Sequence, residues 1–143
     1  MGMPKTFIDL FAGIGGFHWA LKELGYDCLL AVEKDEAAQE IYGRNFKEKK
    51  PKGKSTLNKL IGDIRSLTRS NPEDEDTEIE PRKIAARFKV EFKIEVGDVG
   101  VICGGFPCQP FSKSGAQKGD KDATRGTLFH DILLLTEALK TEY

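Results

Sequence analysis

The chain reads as an α/β protein built on a doubly wound, mostly parallel sheet. Three observations predict this. Short apolar runs at 6–10, 28–32 and 100–103 have the near-continuous hydrophobicity of strands buried on both faces. A glycine-rich turn follows the first run, and the residues after it repeat at helical spacing. The order strand, helix, strand, helix is the opening of a sheet whose parallel strands are joined by crossover helices.

Each element follows from its residues. Thr6 to Leu10 forms the first strand and ends in glycines. Phe17, Ala20, Leu21 and Leu24 fall at i, i+3, i+4 and i+7, one face of a helix, and Gly25 supplies its stop. Cys28 to Val32 is the second strand. Asp35 is placed to cap a second helix, on which Ala38, Ile41 and Tyr42 share a face. Lys47 to Lys54, basic and broken by Pro51 and Gly53, is expected as a surface loop. Gly62-Asp63-Ile64 ends a short third strand. Asn71 to Pro81, rich in acids, is expected to be mobile. From Arg87 to Val96, Phe88, Val90, Phe92, Ile94 and Val96 alternate with charged residues, and this period of two predicts a half-exposed strand. Gly100 to Cys103 is a further buried strand. Leu128, Ile132, Leu135 and Leu139 share one side of a last helix. No internal repeat is present.

The chain has 143 residues, enough for one domain with a sizeable core. A formal net charge of −1 gives no global basic field, so nucleic-acid binding would need local cations. No apolar run has the length of a membrane span, and the N-terminal run is interrupted by Asp9 and glycines, unlike a signal peptide. The three cysteines, Cys28, Cys103 and Cys108, are odd in number and lack zinc spacing. They read as reduced thiols of a cytoplasmic protein, and no metal site is expected. His18 and His130 lie on helices without partners at metal or triad spacing and read as structural.

Two segments carry chemistry. In the first, Gly13-x-Gly15-Gly16 turns from strand to helix. Glycines allow a tight bend and a close approach of ligand to backbone, and a turn of this kind is needed with or without a ligand. Glu33, about twenty residues on at the end of the second strand, is placed to accept ribose hydroxyls. Asp63 ends the third strand, either as a turn aspartate or as acceptor for an adenine amino group. The turn departs from the dinucleotide pattern G-x-G-x-x-G. With Asp9, Glu33 and Asp63 at strand ends, a cationic, phosphate-free adenosyl ligand fits better than a dinucleotide. The second segment is Gly104-Gly105-Phe106-Pro107-Cys108-Gln109-Pro110-Phe111-Ser112, a thiol beside a proline just past a buried strand. Cys103, inside that strand, reads as a buried inert thiol.

In this order and at this spacing, the run from Phe7 to Phe17 and the run from Gly104 to Ser112 resemble the cofactor and nucleophile motifs of the DNA (cytosine-5) methyltransferase family. The resemblance implies a Rossmann-like S-adenosylmethionine-dependent methyltransferase fold, incomplete at its C-terminal side, in which residues 1–143 form the N-terminal part of the catalytic domain and about 65–99 an insertion. It implies S-adenosylmethionine as cofactor, in a cleft lined by Phe11, Gly13, Ile14, Gly15, Gly16, Glu33, Lys34, Asp63, Ile64, Pro107 and Leu128. Phe11 would pack on the adenine. Lys34 stands where some relatives place an aromatic that covers it. Cys108 would be the nucleophile, and Gln109, Ser112, Lys113, Ser114 and Arg125 would approach double-stranded DNA. The polar stretch from Ser112 to Thr127 matches a loop that closes on DNA in that family.

The family's pattern continues with a Glu-Asn-Val motif carrying a general acid, and no such motif occurs here. The expectation is therefore that the isolated chain lacks significant turnover, that its last strand exposes an edge, and that a second polypeptide is a candidate source of the remainder. The rival readings are a transfer RNA cytosine-5 methyltransferase and a non-catalytic cofactor- or partner-binding module. A nicotinamide-binding domain is disfavoured by the turn spacing.

Overall fold

Four parallel strands, in the order β3-β2-β1-β4, carry helices on both faces. The structure, a computed structural model, describes residues 2–46, 60–105 and 128–143. Strand β1 (Thr6–Leu10) is central, with β2 (Asp27–Val32) on one side and β4 (Val101–Gly104) on the other. The short β3 (Leu60–Ile61) pairs with β2. The chain steps outward from β1 to β2 to β3, then returns to the other side of β1 for β4. The switch point of this doubly wound sheet therefore lies between β1 and β4, where ligands bind beyond the carboxyl ends of strands.

Alternation in β1 divides the core. Ile8 and Leu10 join Leu30 and Val32 of β2 on one face, under Ile64, Leu67, Ile84, Phe88, Leu135 and Leu139. Phe7 faces the opposite way with Cys28 and Ala31, packed on Tyr42 and Phe46 of helix α2 (Glu36–Phe46). Asp35 caps α2 as expected, its Oδ1 accepting the Ala38 N–H at 2.7 Å. The buried face of α2 is that of Tyr42 and Phe46, four residues apart, whereas Ile41 is exposed.

Helix α1 (Gly16–Glu23) ends where Gly25, at φ 80°, enters the left-handed region and donates its N–H to the Lys22 carbonyl. Only part of its apolar stripe meets the sheet: Leu21 packs against the cluster of Phe7, Cys28 and Ala31. Phe17 is 50% and Leu24 67% exposed, while His18 is buried. The physical reason is that His18 finds partners there: its ring stacks on Phe46 with centroids 3.7 Å apart, and Nδ1 lies in hydrogen-bond range of the Tyr42 hydroxyl.

The segment from 65 to 99 is woven into the core. Helix α3 (Arg65–Thr68) is followed by a loop containing a 3₁₀ turn (Glu75–Thr77). This acidic stretch, expected to be mobile, is instead closed by hydrogen bonds. Ser70 N–H donates to the Thr77 carbonyl, and the Thr77 hydroxyl donates to the Asn71 carbonyl at 2.7 Å. Helix α4 (Pro81–Arg87) then runs into a π-helical turn (Phe88–Phe92), where a strand was expected. Phe88 and Phe92 satisfy both periodicities, being four residues apart. The discriminating positions are Ile84, buried one turn earlier, and Val90, 69% exposed. Pro81 at the first turn is the helix start signal that the alternation obscured. Lys93, at φ 60°, ends the turn and lets Ile94 re-enter the core.

Helix α5 (Leu128–Leu139) packs on α4, burying Leu134, Leu135, Ala138 and Leu139. It also buries Asp131, whose Oδ1 accepts the Thr68 hydroxyl at 2.6 Å and whose Oδ2 lies 3.4 Å from Arg69 Nη2. The outer edge of β4 is not wholly bare, since Ile102 N–H donates to the Tyr143 carbonyl at 2.7 Å.

Candidate cofactor and active site

The glycine turn sits at the switch point and is bent hard. Phe11, Gly13 and Gly15 all have positive φ, at 54°, 57° and 101°. Gly15 is required twice over: a Cβ there would lie 2.0 Å from the Phe46 ring. Gly13 and Gly16 instead have no described residue within 4 Å of a hypothetical Cβ. Across the switch point, Gly104 at the end of β4 comes so close to β1 that its Cβ would meet the Leu10 carbonyl oxygen at 2.3 Å.

Glu33, just past β2, is tied to this turn. Its Oε2 accepts the Gly13 N–H at 2.7 Å and its Oε1 accepts the Asp35 N–H at 2.8 Å. Each carboxylate oxygen has further acceptor capacity. Gln39 braces the same point by donating to the Glu33 carbonyl, and Asn45 Nδ2 donates to the Ile14 carbonyl at 2.9 Å, securing a residue whose side chain is exposed.

Asp63, past β3, is held by cations. The Arg65 guanidinium reaches both its oxygens, with Nη2 2.8 Å from Oδ2, and Lys34 Nζ is 3.3 Å from Oδ2. The Arg65 N–H adds a bond to Oδ1 at 2.9 Å. Partial burial opposes ionisation, but these bonds hold the Asp63 carboxyl down at about 2. Ile64 belongs to the core, and Leu128, at the first turn of α5, packs partly buried against it.

Asp9 differs from the two cleft acids. It is fully buried between β1, α1 and β4, with Cys103 Sγ 3.8 Å from Oδ1 and Oδ2 without a hydrogen-bond partner among the described residues. The His18 backbone amide, in the first turn of α1, lies near enough to favour the charged form of this carboxyl. Burial raises its pKa to about 7; the Cys103 thiol and the His18 amide pull it back, and the nearby Glu33 charge adds to the rise. Burial likewise pushes the Cys28 thiol up to about 12 and raises that of Cys103, so both are inert as nucleophiles near neutrality.

The structure thus gathers Phe11, Gly13, Ile14, Gly15, Gly16, Glu33, Lys34 and Asp63 at neighbouring strand ends. Pro107, Cys108, Gln109, Ser112, Lys113, Ser114 and Arg125 lie outside the described residues, as do the 112–127 loop and the basic loop at 47–54. Arg65 and the full burial of Asp9 were missed by sequence reasoning. An arginine two residues after a strand-end aspartate was the available signal for the first. Nothing in one sequence reveals the second.

A parallel sheet with its glycine turn at the switch point and acids past the next two strands defines a Rossmann-like α/β methyltransferase fold. The chain belongs to the C-5 cytosine-specific DNA methylase family, whose model matches residues 5–143. It is 38% identical over 134 residues to the type II methyltransferase M.HhaI of Haemophilus parahaemolyticus, covering 94% of this chain and 30% of that protein. It is 42% identical over 132 residues to M.AluI of Cellulosimicrobium cellulans, covering 92% and 20%, and 39% identical over 127 residues to M.HpaII of Haemophilus parainfluenzae, covering 89% and 26%. The chain therefore spans less than a third of the length of these relatives. Among the described residues no helix is long and apolar enough to cross a membrane.

Proposed function

We propose that this chain carries the cofactor cleft and the nucleophile of a DNA cytosine-C5 methyltransferase that uses S-adenosylmethionine. The supporting observation is the family match over 5–143 together with Glu33 bonded to the amide of Gly13, where no described residue lies within 4 Å of a hypothetical Cβ. A carboxylate with free lone pairs suits the two hydroxyls of a ribose, and the acids past β2 and β3 suit a cationic ligand without phosphates. When bound, the cofactor supplies a methyl group on a sulfonium.

Cys108 performs the covalent step. Carbon 5 of cytosine is a weak nucleophile in an intact ring. The Cys108 thiolate forms a bond to carbon 6, the 5,6 double bond opens, and the electron pair moves toward the ring nitrogen. Carbon 5 becomes enamine-like and takes the methyl group. Loss of the carbon 5 proton and departure of Cys108 as thiolate restore the ring. A cysteine of ordinary pKa, ~8.5, requires activation by its surroundings. The target base must leave the duplex stack to reach such a site, a task suited to the cations Lys113 and Arg125 and to the side chains of Gln109, Ser112 and Ser114. DNA is favoured over transfer RNA because the matched relatives are type II methyltransferases.

Residues 1–143 contain no Glu-Asn-Val acid, so tested by themselves they are expected to turn over poorly. Trapping on duplex DNA containing 5-fluorocytosine tests the assignment. With a complementary C-terminal fragment of a relative supplied, a covalent adduct that Cys108→Ser abolishes is the expected result. Absence of adduct despite verified cofactor binding and assembly would overturn it in favour of a binding module. Robust methyl transfer by the chain alone would refute the expected inactivity.

A further inference from the structure

The carboxylate assigned to the adenine amino group is already occupied by this chain's own cations. Asp63 Oδ1 accepts from the Arg65 backbone N–H, the single Arg65 Nε–H is shared between Oδ1 and Oδ2 at 3.2 Å from each, and Oδ2 accepts from Nη2 and lies 3.3 Å from Lys34 Nζ. A carboxylate offers about four lone-pair directions, and with Nε–H counted once these donors fill them, so an incoming amino group finds an acceptor only if one donor leaves. The two cations are not equivalent. Arg65 is held by a fork of bonds and three-quarters covered, whereas the Lys34 side chain is 72% exposed and, among the described residues, reaches Asp63 through one ion pair. Arg65 therefore orients the carboxylate, and Lys34 is the partner that can leave.

We propose that Lys34 competes with the adenine amino group for Asp63, making it a specificity-determining residue of the adenosyl subsite. This rests on the adenosyl reading above. Binding of an adenosyl ligand releases the ammonium to solvent. An exposed ion pair of this kind corresponds to about a two- to fivefold change in an equilibrium constant. The native chain binds that much more weakly than its cleft allows, and it discriminates poorly for a 6-amino group.

Calorimetric titration of the native chain and Lys34→Met with S-adenosylhomocysteine and S-inosylhomocysteine tests this. The inosyl analogue carries a 6-oxo group and no amino donor. Lys34→Met is expected to bind the adenosyl ligand about two- to fivefold more tightly, with no gain for the inosyl ligand. Added salt should narrow the gap by screening the pair. Arg65→Met, which frees the same carboxylate but loses its orientation, should weaken adenosyl binding. Unchanged or weaker adenosyl binding by Lys34→Met, or an equal gain for both ligands, overturns the proposal while leaving the cofactor assignment standing. No binding of either ligand by any variant overturns the cofactor assignment and this inference together.

Discussion

Replacing Asp9 by asparagine removes one proton-binding site while keeping a side chain of nearly the same size and shape. The folded-state pKa of Asp9 is raised from 3.8 to about 7, chiefly by burial. The folded protein therefore holds a proton that the unfolded chain has already released between pH 3.8 and 7. By linkage, the stabilising contribution of this raised pKa is full below 3.8 and is lost as pH climbs through about 7. At ~1.4 kcal/mol per pH unit over roughly three units, the native chain should lose about 4 kcal/mol relative to Asp9→Asn between pH 4 and pH 8. That is a large share of the ~5–15 kcal/mol typical of a domain.

Urea unfolding followed by far-ultraviolet circular dichroism, at half-unit steps across this window, measures both chains. Subtracting one profile from the other cancels the titration of Asp63, Asp131 and the exposed acids. The expected difference curve bends at both ends of the window and is steepest between them. Parallel profiles would refute the reasoning, since they would mean that Asp9 titrates alike in the folded and unfolded states and is not desolvated beneath α1.

Two further perturbations separate packing from alternatives. Asp131→Leu should cost about 3–5 kcal/mol, because it leaves the buried Arg69 guanidinium without its carboxylate; Asp131→Leu combined with Arg69→Met should recover most of that loss in the same unfolding assay, and additive losses would count against the pair. Phe88→Ala should cost about 3–5 kcal/mol, while Val90→Ser, exposed on the helical turn, should stay within about 0.5 kcal/mol; comparable losses at both positions would restore the strand that alternation predicts.

The sheet was legible because its signals are local. Thr6–Leu10 matches the strand seen, Asp35 caps α2, and Gly25 ends α1 as the spacing required. Errors arose where a local pattern had two solutions. Phe88 and Phe92 fit a period of two and a helical turn equally, and only Ile84 and Pro81 upstream decide between them. On α1 the apolar stripe of Phe17 and Leu24 lost to His18, because the aromatic partners Tyr42 and Phe46 arrive from an element more than twenty residues away. The cleft acids Glu33 and Asp63 were legible from strand ends. Their engagement was not, since the Gly13 amide and the Arg65 fork depend on backbone directions that no spacing reveals.

The strained turn and the acids around it form one mechanical unit. A non-glycine residue in the left-handed region, such as Phe11, costs about 1–3 kcal/mol and persists only when its surroundings over-determine it. Here the constraints come from three sides. Ala12 N–H donates to the Val32 carbonyl, Gly13 N–H to Glu33, and Asn45 to the Ile14 carbonyl. Glu33 is thus both a brace of the turn and the group assigned to the ribose. A ligand that used its remaining lone pairs would leave the Gly13 bond in place and add order to the turn, whereas one that pulled Glu33 away would release the bend that shapes its own site. On the proposed reading the first kind of ligand is expected, one that approaches the carboxylate from the side of Gly13 and Gly16, where no described residue lies within 4 Å of a hypothetical Cβ.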